Sequence, residues 1–252
     1  MKIKKVNLVF GMEIECGLNK NILGDFMISS YHSDHSQLLG KSRFYPERDS
    51  SLKAYKKDFR AVELVSEPFT YENVDTRIRT LIKMLKKTGT KLSDLIYFNK
   101  TMGCHIHFSV FVELEGSEDY TTVVFKNKKY MVKGVPYDFK TKVLPTELKY
   151  ISDLILSRVK HKLPRVYNKF NKQFYRNYAQ VVDFHKMNNR AISWNFQPSE
   201  FNHIEFRSFN LNGVSTYEQL EQLLKIGFGT IKTSITNIVL GKNKVKTKII
   251  RI

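Results

Sequence analysis

Cysteine is scarce in this sequence, which contains only Cys16 and Cys104 among its 252 residues. Two distant cysteines cannot form the disulfide framework of a small secreted domain, so we expect a reducing compartment. The first five residues resemble the basic region of a signal peptide, but the apolar run after them is short and is interrupted by Glu13 and Glu15. We therefore expect a cytoplasmic protein and not a secreted one.

Long apolar runs, internal repeats and low-complexity linkers are also missing. No apolar run approaches the roughly 20 residues that a membrane-spanning helix needs, and no change in composition marks a domain boundary. The hydrophobic fraction of 42% and the aromatic fraction of 13% are sufficient for a folded core. We predict one domain over residues 1–252, with a basic tail over about 240–252. The alternating lysines of that tail favour a protected sheet edge over polyanion binding.

Acidic residues are the third shortage, since 24 aspartates and glutamates accompany 42 lysines and arginines and the net charge is +18. Such an excess attracts polyanions, including nucleic acids, nucleotides and acidic polymers. It is concentrated in residues 158–176, where basic and aromatic residues are interspersed and no acidic residue occurs. That pattern is typical of a nucleic-acid surface or of the entrance to an anionic-substrate site. A helical hairpin with aromatic core positions and a solvated basic face explains it equally well.

The most informative stretch is Met102-Gly-Cys-His-Ile-His-Phe-Ser109, in which His105 and His107 are two residues apart. The apolar residues that follow favour a strand, which we expect to extend to about Glu113. Side chains two residues apart on a strand point to the same face, so the two imidazoles should lie side by side. Cys104 would point to the opposite face, which predicts a small core residue and not a nucleophile activated by its neighbour.

Two further stretches have the same alternation. The motif Gly11-Met-Glu-Ile-Glu15 follows a short apolar run and places Glu13 and Glu15 two residues apart, and a later stretch places Glu205 and Arg207 in the same way. If these strands lie in one sheet, one face collects three carboxylates, two imidazoles and a guanidinium. Unpaired buried charge is very costly, and a hard divalent cation would remove that cost. The sequence therefore predicts a metal site on this face.

The remaining patterns predict an α+β fold built on a mostly antiparallel sheet. A strand over 61–68 carries Glu63, and a hairpin that turns around Asn127 and Lys128 follows the histidine strand. Apolar stripes at helical spacing predict three helices, over about 73–87, from about 145 to 159 and from about 215 to 238. A capping-box spacing from Ser215 opens the last of these, in which Gly227 and Gly229 are expected to break or bend the helix.

The order of the motifs is more specific than any single one of them. In chain order they are Gly11-Met-Glu-Ile-Glu15, Asp49-Ser-Ser-Leu52, Val62-Glu-Leu-Val-Ser-Glu-Pro68, Gly103-Cys-His-Ile-His-Phe108, Arg190 with Asn195, and Ile204-Glu-Phe-Arg207. From about residue 6 to residue 212 this order resembles the amidoligases, a branch of the carboxylate–amine ligase superfamily that includes glutamine synthetase and glutamate–cysteine ligase. The family often has Asp-Gly-Ser where this chain has Asp49-Ser50-Ser51.

The resemblance implies an enzyme that joins a carboxylate to an amine with ATP and magnesium, through an acyl phosphate. It implies a glutamine synthetase-like sheet that forms an open funnel, with helices on the outer face, and one amidoligase-like catalytic domain over residues 1–252. ATP and two or more Mg²⁺ ions, or Mn²⁺, would bind in the funnel. The substrates would be a small-molecule or peptide carboxylate and an amine.

The site residues that the resemblance implies fall into two sets. The metal ligands would be Glu13, His105 and Glu205 for one ion, and Glu15 and Glu63, helped by Asp49, for the other. The groups near the nucleotide and its transferred phosphoryl would be Arg207, Arg190 and His107. These residue types suit the chemistry independently of the family, because magnesium prefers carboxylate and phosphate oxygens and tolerates an occasional imidazole.

Two other classes of function use the same residues. A metal-dependent hydrolase could use the cluster to activate water, whereas only a ligase would turn over ATP in a way that requires both a carboxylate and an amine. A basic nucleic-acid-binding or structural protein could retain the fold without its chemistry, although every carboxylate and imidazole of the implied site is present. The loop over 19–48 and the hairpin near 120–133 look specific to this protein, and we expect substrate choice to depend on such regions.

Overall fold

The computed structural model describes residues 2–23, 38, 42–89, 91–99, 102–168, 194–196, 203–209 and 211–242. In this part of the chain the strands are β1 (Ile3–Asn19), β2 (Phe44–Glu47), β3 (Phe59–Ser66), β4 (Phe69–Thr70), β5 (Ile96–Tyr97), β6 (Cys104–Leu114), β7 (Tyr120–Phe125), β8 (Lys128–Lys133), β9 (Val135–Pro136), β10 (Trp194–Phe196) and β11 (His203–Phe209). The helices are α1 (Lys20–Leu23), α2 (Val74–Thr88), α3 (Leu92–Leu95), α4 (Phe139–Lys142), α5 (Pro145–Lys162) and α6 (Tyr217–Val239). A 3-10 turn over Tyr71–Asn73 precedes α2.

Nine of the described strands form one sheet, whose central path has the order β10-β11-β6-β1-β3-β2. The short strands β4 and β5 also pair with β1, β9 pairs with β6, and β7 and β8 form a separate hairpin. Each of these strand pairs is antiparallel. The predicted α+β class with a mostly antiparallel sheet is therefore confirmed.

The central strand β1 carries different residue types on its two faces. The even-numbered residues from Leu8 to Leu18 are apolar and almost completely buried, whereas Gly11, Glu13 and Glu15 occupy alternate positions. Because side chains alternate across a strand, the apolar set faces the core and the carboxylates lie on the other face. The core face packs against helices. One face of β1 therefore contributes to the hydrophobic core, and the other carries the carboxylates.

The helices supply the other side of the core. The apolar stripe predicted for α2 is buried from Val74 to Leu85, and the stripe predicted for α5 is buried from Leu148 to Val159. In α6, the ring of Phe228 meets the ring of Phe10 edge-on, with centroids 5.3 Å apart. No helix in the described ranges is both long enough and apolar enough to cross a membrane.

The start of α6 differs from the sequence prediction by one residue. The N-cap is Thr216 and not Ser215, because the Thr216 hydroxyl accepts a hydrogen bond from the backbone N–H of Gln219. The Gln219 side chain in turn accepts from the backbone N–H of Ser215, at 2.9 Å. The helix then continues through Gly227 and Gly229 without a break, so a break at these glycines is wrong and a bend there stays a prediction.

The basic segment over 158–176 is described only as far as residue 168. Within that part Val159 and Val166 are buried, as expected for the core side of a helix. Arg158 makes a contact within the protein, since its guanidinium donates to the hydroxyl of Thr230 in α6 at 2.9 Å. The described part thus has the features of a helix with a solvated basic face. Binding of nucleic acid stays a prediction, and the lysine-rich tail beyond residue 242 lies outside the described residues.

We expect Phe10→Ala to lower the free energy of unfolding by about 3–5 kcal/mol, because a large buried aromatic side chain is removed from between the sheet and α6. The Phe10 side chain is 1% exposed and its ring contacts those of Phe69, Phe108 and Phe228. Denaturant unfolding with linear extrapolation measures the change. Tyr120→Ala, at a position that is 58% exposed, is the control and should change stability little. A similar loss in both variants would contradict this account of the core.

Candidate functional site

Three adjacent strands bring the predicted alternating residues to one face of the sheet. Glu13 of β1 lies opposite His105 of β6, and Glu205 of β11 lies opposite His107 of β6. Directly opposite residues in antiparallel strands have side chains on the same face, about 5 Å apart at Cβ. The strands therefore place the two histidines between the two carboxylates.

These four side chains form a first group that could hold a metal ion, with one potential ligand atom from each within 4.8 Å of the others. His105 Nδ1 lies 3.2 Å from Glu13 Oε2 and 3.1 Å from Glu205 Oε1. His107 Nε2 lies 3.0 Å from Glu13 Oε2. The group contains the three ligands that the resemblance implies for one ion, together with His107.

A second group consists of Glu15, Glu63 and His105. Glu15 lies opposite Glu63 in the β1–β3 register, and His105 Nε2 lies 3.7 Å from Glu15 Oε1. The other Glu15 oxygen accepts from the backbone N–H of Gly103 at 2.7 Å, which orients the carboxylate. Glu63 Oε2 is buried and has no hydrogen-bond partner among the described residues. A buried carboxylate oxygen without a donor is costly, and a cation at this position would stabilise it.

The electrostatics of the two groups are those of a site with too much negative charge. Burial alone would raise the pKa of Glu13, but the charge of His107 and hydrogen bonds from both histidines outweigh burial and hold that pKa well below its ordinary value. Burial would lower the pKa of His107, but Glu13 and Glu205 raise it to about 9. Burial, together with the charges of Glu13 and Glu15, raises the pKa of Glu63 to about 10. Protons on the imidazoles and on Glu63 thus reduce the net negative charge of the two groups. A bound divalent cation would reduce it in their place.

Glu205 is held on both of its oxygens. Arg207 Nε donates to Glu205 Oε1 at 2.6 Å, and Asn195 Nδ2 donates to Glu205 Oε2 at 2.9 Å. The Glu205 side chain is 1% exposed, so these donors replace the water that it has lost. Asn195 and Arg207 belong to two of the predicted motifs, and the β10–β11 pairing brings Asn195 directly opposite Glu205.

Two residues at the site were missed by the sequence reasoning. His203 Nε2 lies 3.0 Å from His107 Nδ1, and its position two residues before Glu205 is the same alternation that identified the other pairs. Glu47 is completely buried and lies opposite Glu63 in the β2–β3 register. The four-residue strand β2 contains a proline and carries no such signal, so Glu47 could not have been found in this way.

A hairpin covers part of the site face. The strands β7 and β8 confirm the predicted hairpin, but its two-residue turn is Lys126-Asn127, one residue earlier than expected. Both turn residues have positive φ, 45° and 60°, which is the conformation of a type I′ turn. The hairpin returns to the sheet at Gly134, where φ is 109° and a Cβ would lie 2.6 Å from the carbonyl oxygen of Val112. Only glycine fits this close approach.

A cavity of about 360 Å³ lies between the site face and the hairpin. Its residues come from β1, β3, β6, β7 and β11, from the turn after β7 and from the residues after β3, and they include Gly11, Glu13, Ser66, Pro68, His107, Phe125, Lys126, His203, Glu205 and Arg207. Gly11 lies opposite His107, and because it has no side chain it leaves the floor of the cavity open at this point. The volume suits a small ligand that contacts the first metal group at one end.

The comparison with known families shows the family of this chain. The family described as "Putative amidoligase enzyme" matches residues 8–217, which is most of the chain and includes all of the strands that carry the site. The chain belongs to this family. The extent of the match agrees with the resemblance seen in the order of the motifs. A search of curated protein sequences finds no match.

Among solved structures, the amidoligase chain is similar to a glutamine synthetase from Plasmodium falciparum determined by cryo-electron microscopy, with 12% sequence identity and a TM-score of 0.33. The match covers 90% of this chain and 52% of that one. The chain thus spans about half the length of that glutamine synthetase. A likeness at this TM-score supports no conclusion about activity or substrates.

The other residues predicted for the amidoligase site have different positions. Asp49 caps a local turn, since its Oδ1 accepts from the backbone N–H of Ser51 at 2.7 Å, and it belongs to neither metal group. Arg190 lies outside the described residues. Cys104 is completely buried in the core on the opposite side of β6 from the histidines, which confirms the prediction of a core residue. Burial raises the pKa of its thiol well above the ordinary value, so it is a poor nucleophile.

Glu67 holds ion pairs to the hairpin and to the residue before β2. The Lys128 ammonium of the hairpin lies 2.7 Å from Glu67 Oε1, and the Arg43 guanidinium lies 3.0 Å from Glu67 Oε2. Glu67 is 3% exposed. Burial would raise its pKa, but hydrogen bonds from Lys128 and Arg43 outweigh burial and lower it. One of the contacts that hold the hairpin therefore depends on an ionised carboxylate.

We expect the stabilising effect of Glu67 to disappear in acid. A lowered folded-state pKa means that the contribution is fully present above the unfolded-state pKa of about 4.3 and is lost as the pH falls through the lower folded value. The difference in unfolding free energy between wild type and Glu67→Gln should be constant above about pH 5.5 and shrink below about pH 4. Urea unfolding at several pH values measures it, with Glu118→Gln at an exposed position as the control. A difference that does not change with pH would contradict this role.

Proposed function

We propose that the protein is an ATP- and magnesium-dependent amidoligase that joins a carboxylate to an amine through an acyl phosphate. The observation that carries the proposal is the pair of adjoining carboxylate–imidazole groups that share His105 on one sheet face, at the end of a small cavity. The chain's membership of an amidoligase family supports the reaction class. Mn²⁺ would suit the same ligands.

The residues fit two divalent cations. Glu13, His105 and Glu205 would hold the first, and Glu15 and Glu63 the second. The carboxylate-rich set with an occasional imidazole is the chemistry that Mg²⁺ accepts. The buried Glu63 oxygen without a donor supports the second position. When bound, the cations would neutralise charge on the nucleotide phosphates and orient them.

Other side chains of the cavity would act on the ligands themselves. Arg207 is fixed by its hydrogen bond to Glu205 and lines the cavity, so its remaining N–H groups can donate to a phosphoryl oxygen. His107 also lines the cavity and would lie near the transferred phosphoryl. Arg190 is assigned the role of neutralising phosphate charge on the family resemblance alone. Asp49 lies close enough to Glu15 and Glu63 for its charge to raise their pKa values.

Amide synthesis also requires that water be kept from an activated carboxylate, and the hairpin that covers part of the site face would contribute to this. The hairpin packs on the site face through Val123 and Val132, which contact Val9 and Phe111 of the sheet. An amine that attacks an acyl phosphate needs no protein nucleophile, in agreement with the inert environment of Cys104. Substrate selection is assigned to this hairpin, because it forms the outer wall of the cavity.

The reaction can be tested by incubating the protein with ATP, MgCl₂ and a library of amino acids, polyamines and peptides, and searching by mass spectrometry for adducts that have lost water. A ligase gives an ATP-dependent product and ADP only when both a carboxylate and an amine are present. A hydrolase on the same cluster would instead consume library members without ATP. Retention of nucleic acid together with no magnesium or ATP binding would favour a binding protein and overturn the proposal.

We expect Glu13→Gln and Glu205→Gln each to weaken magnesium–nucleotide binding at least about tenfold, because each removes an anionic ligand while keeping the side-chain shape. Calorimetric titration of MgCl₂ in the presence of a non-hydrolysable ATP analogue measures the effect. Glu115→Gln removes an exposed carboxylate at the end of the same sheet and is the matched control. Wild-type affinity for magnesium in both site variants would contradict the assignment of Glu13 and Glu205 as metal ligands.

Arg207→Ala should lower the single-turnover rate about 100-fold while changing magnesium–ATP affinity no more than about threefold, because charge at the phosphoryl group is greatest in the transition state. Asn195 still holds Glu205 in this variant, so the metal ligand keeps one of its donors. Quenched-flow measurement of product from the acid and amine found in the library gives the rate. Arg60→Ala, at an exposed position, is the control. Equal losses of rate and affinity would argue against a role specific to the transition state.

A further inference from the structure

The two strands of the hairpin differ in how their outer edges are protected. The strands β7 and β8 pair with each other, and no other strand in the described ranges pairs with either of them. The strand β8 carries Lys128, Lys129 and Lys133, and lysine is a common protection of an edge against further pairing. The strand β7 reads Tyr-Thr-Thr-Val-Val-Phe, without a charge or a proline. All of these residue types are enriched in strands, so the edge of β7 is open to pairing.

The turn of the hairpin determines which main-chain groups of β7 face outward. Phe125 and Lys128 flank the two-residue turn, and residues in these positions are hydrogen-bonded to each other. Bonded and non-bonded pairs alternate along an antiparallel ladder. Val124, Thr122 and Tyr120 therefore belong to the non-bonded pairs, and their N–H and C=O groups point away from β8. The edge of β7 thus offers three pairs of main-chain donors and acceptors.

Contacts at the base of the hairpin agree with this alternation. The N–H of Gly134 donates to the carbonyl of Asp119 at 2.8 Å, so the pair beyond the end of the ladder is bonded, as the alternation requires. On the outer edge of β8, the carbonyl of Lys133 accepts from Asn7 Nδ2 at 2.9 Å. The outward main-chain groups of β7 have no such partner among the described residues.

The open edge of β7 borders the cavity. Val123, Val124 and Phe125 line the cavity together with the turn residue Lys126, whereas no residue of β8 is among its described lining residues. Val124 lines the cavity although it is 61% exposed and its main-chain groups point to the edge. The first metal group lies in the same cavity. An extended chain beside β7 would therefore run between the hairpin and the metal groups.

The outer face of the hairpin has exposed apolar side chains next to this edge. Tyr120, Val124 and Met131 are 58%, 61% and 65% exposed, and they are three of the six large apolar side chains that are exposed in the described residues. Met131 lies opposite Thr122 and is the diagonal neighbour of the other two, at about 7–8 Å. A strand added to β7 would place alternate side chains beside Tyr120 and Val124 and cover part of this apolar surface.

We propose that the acid substrate is a peptide, which binds in an extended conformation as an added strand on β7 and so brings one of its carboxylates to the metal groups. This rests on the proposed ligase function and deepens it by naming the substrate class. Main-chain hydrogen bonds to the edge supply affinity, and the apolar outer face favours apolar residues at alternate positions of the peptide.

A second copy of this chain fits the edge less well than a peptide does. The edge faces a cavity of about 360 Å³, which admits part of one extended chain but not a second hairpin. The net charge of +18 also opposes the association of two copies. From Tyr120 to Val124 the edge is about 14 Å long, so a peptide of five or six residues covers it.

The test uses the blocked hexapeptide acetyl-Thr-Val-Thr-Glu-Thr-Val-amide and, for comparison, acetyl-glutamate amide, which has the same carboxylate but is too short to pair. Calorimetric titration in the presence of MgCl₂ gives the dissociation constants. We expect the hexapeptide to bind at least about tenfold more tightly, because it adds several main-chain hydrogen bonds.

Two N-methylated forms of the hexapeptide test the pairing itself. One is methylated at its second and fourth residues and the other at its third and fifth, so that each lacks a different set of N–H donors. Only every second N–H of an added strand faces its neighbour. One form should therefore lose at least about tenfold in affinity, while the other stays within about twofold of the parent peptide.

The matching protein variant is Val124→Pro, which removes one N–H from the open edge at a position where a strand tolerates proline. It should weaken hexapeptide binding about tenfold and change the affinity for acetyl-glutamate amide less than about threefold. The control is Met131→Pro, which makes the same change at a non-bonded position of β8 and also keeps the charge. It should bind the hexapeptide as wild type does.

Other outcomes would overturn the proposal. A hexapeptide that binds no more tightly than acetyl-glutamate amide is contrary to it, and so are two N-methylated forms of equal affinity. Equal losses in the two proline variants would mean that proline only disturbs the hairpin. Displacement of the hexapeptide by a non-hydrolysable ATP analogue would assign this part of the cavity to the nucleotide. Dimers in sedimentation velocity that Val124→Pro abolishes would assign the edge to a second copy.

The failure of this proposal and that of the ligase function are distinguishable. The peptide measurements report binding and require no turnover, whereas failure of the ligase function is seen as the absence of any ATP-dependent product. An ATP-dependent product from small molecules alone, together with no peptide binding, would leave the ligase function intact and overturn only the peptide substrate.

Discussion

The pairing of β1 with β6 on one side and β3 on the other is the constraint on which the rest of this structure depends. It sets Glu13 against His105 and Glu15 against Glu63, and so determines which side chains can share a cation. A slip of one residue would turn the carboxylates into the apolar core. The helices therefore do more than bury hydrophobic surface, because their packing against the even-numbered residues of β1 prevents that slip.

Negative charge on the outer face of the sheet is concentrated at the metal groups. Burial raises the pKa of Glu15, and burial together with the charges of Glu13 and Glu15 raises that of Glu63. The imidazoles and Arg207 compensate part of this charge, since they lower the pKa of Glu13 and of Glu205 against the effect of burial. The two sides of the same row of strands therefore differ, with compensated carboxylates towards β11 and an excess of carboxylates towards β3.

Sequence reasoning succeeded where local periodicity determines the structure. The two-residue alternation was sufficient to place each pair, Glu13 with Glu15, His105 with His107 and Glu205 with Arg207, on one face of its own strand. That the three strands are neighbours in one sheet is a property of the fold. The stripes of α2 and α5 were found for the same reason. Glu47 escaped it, because its position depends on a short strand with a proline. The cavity has no local signal either, because it results from the contact of the hairpin with a distant part of the sheet.

The glycine at position 134 has a consequence for how the hairpin is anchored. The hairpin is inserted between β6 and β9, which both belong to the main sheet, and Gly134 fixes its return against the carbonyl of Val112. The insertion thus begins and ends at neighbouring points of the sheet. Its far end is tied to the opposite edge, because Lys126 pairs with the buried carboxylate of Glu47 and Lys128 with that of Glu67. The hairpin therefore bridges the outer face from β6 to β2, and the cavity beneath it has a width that the number of strands between these two anchors determines.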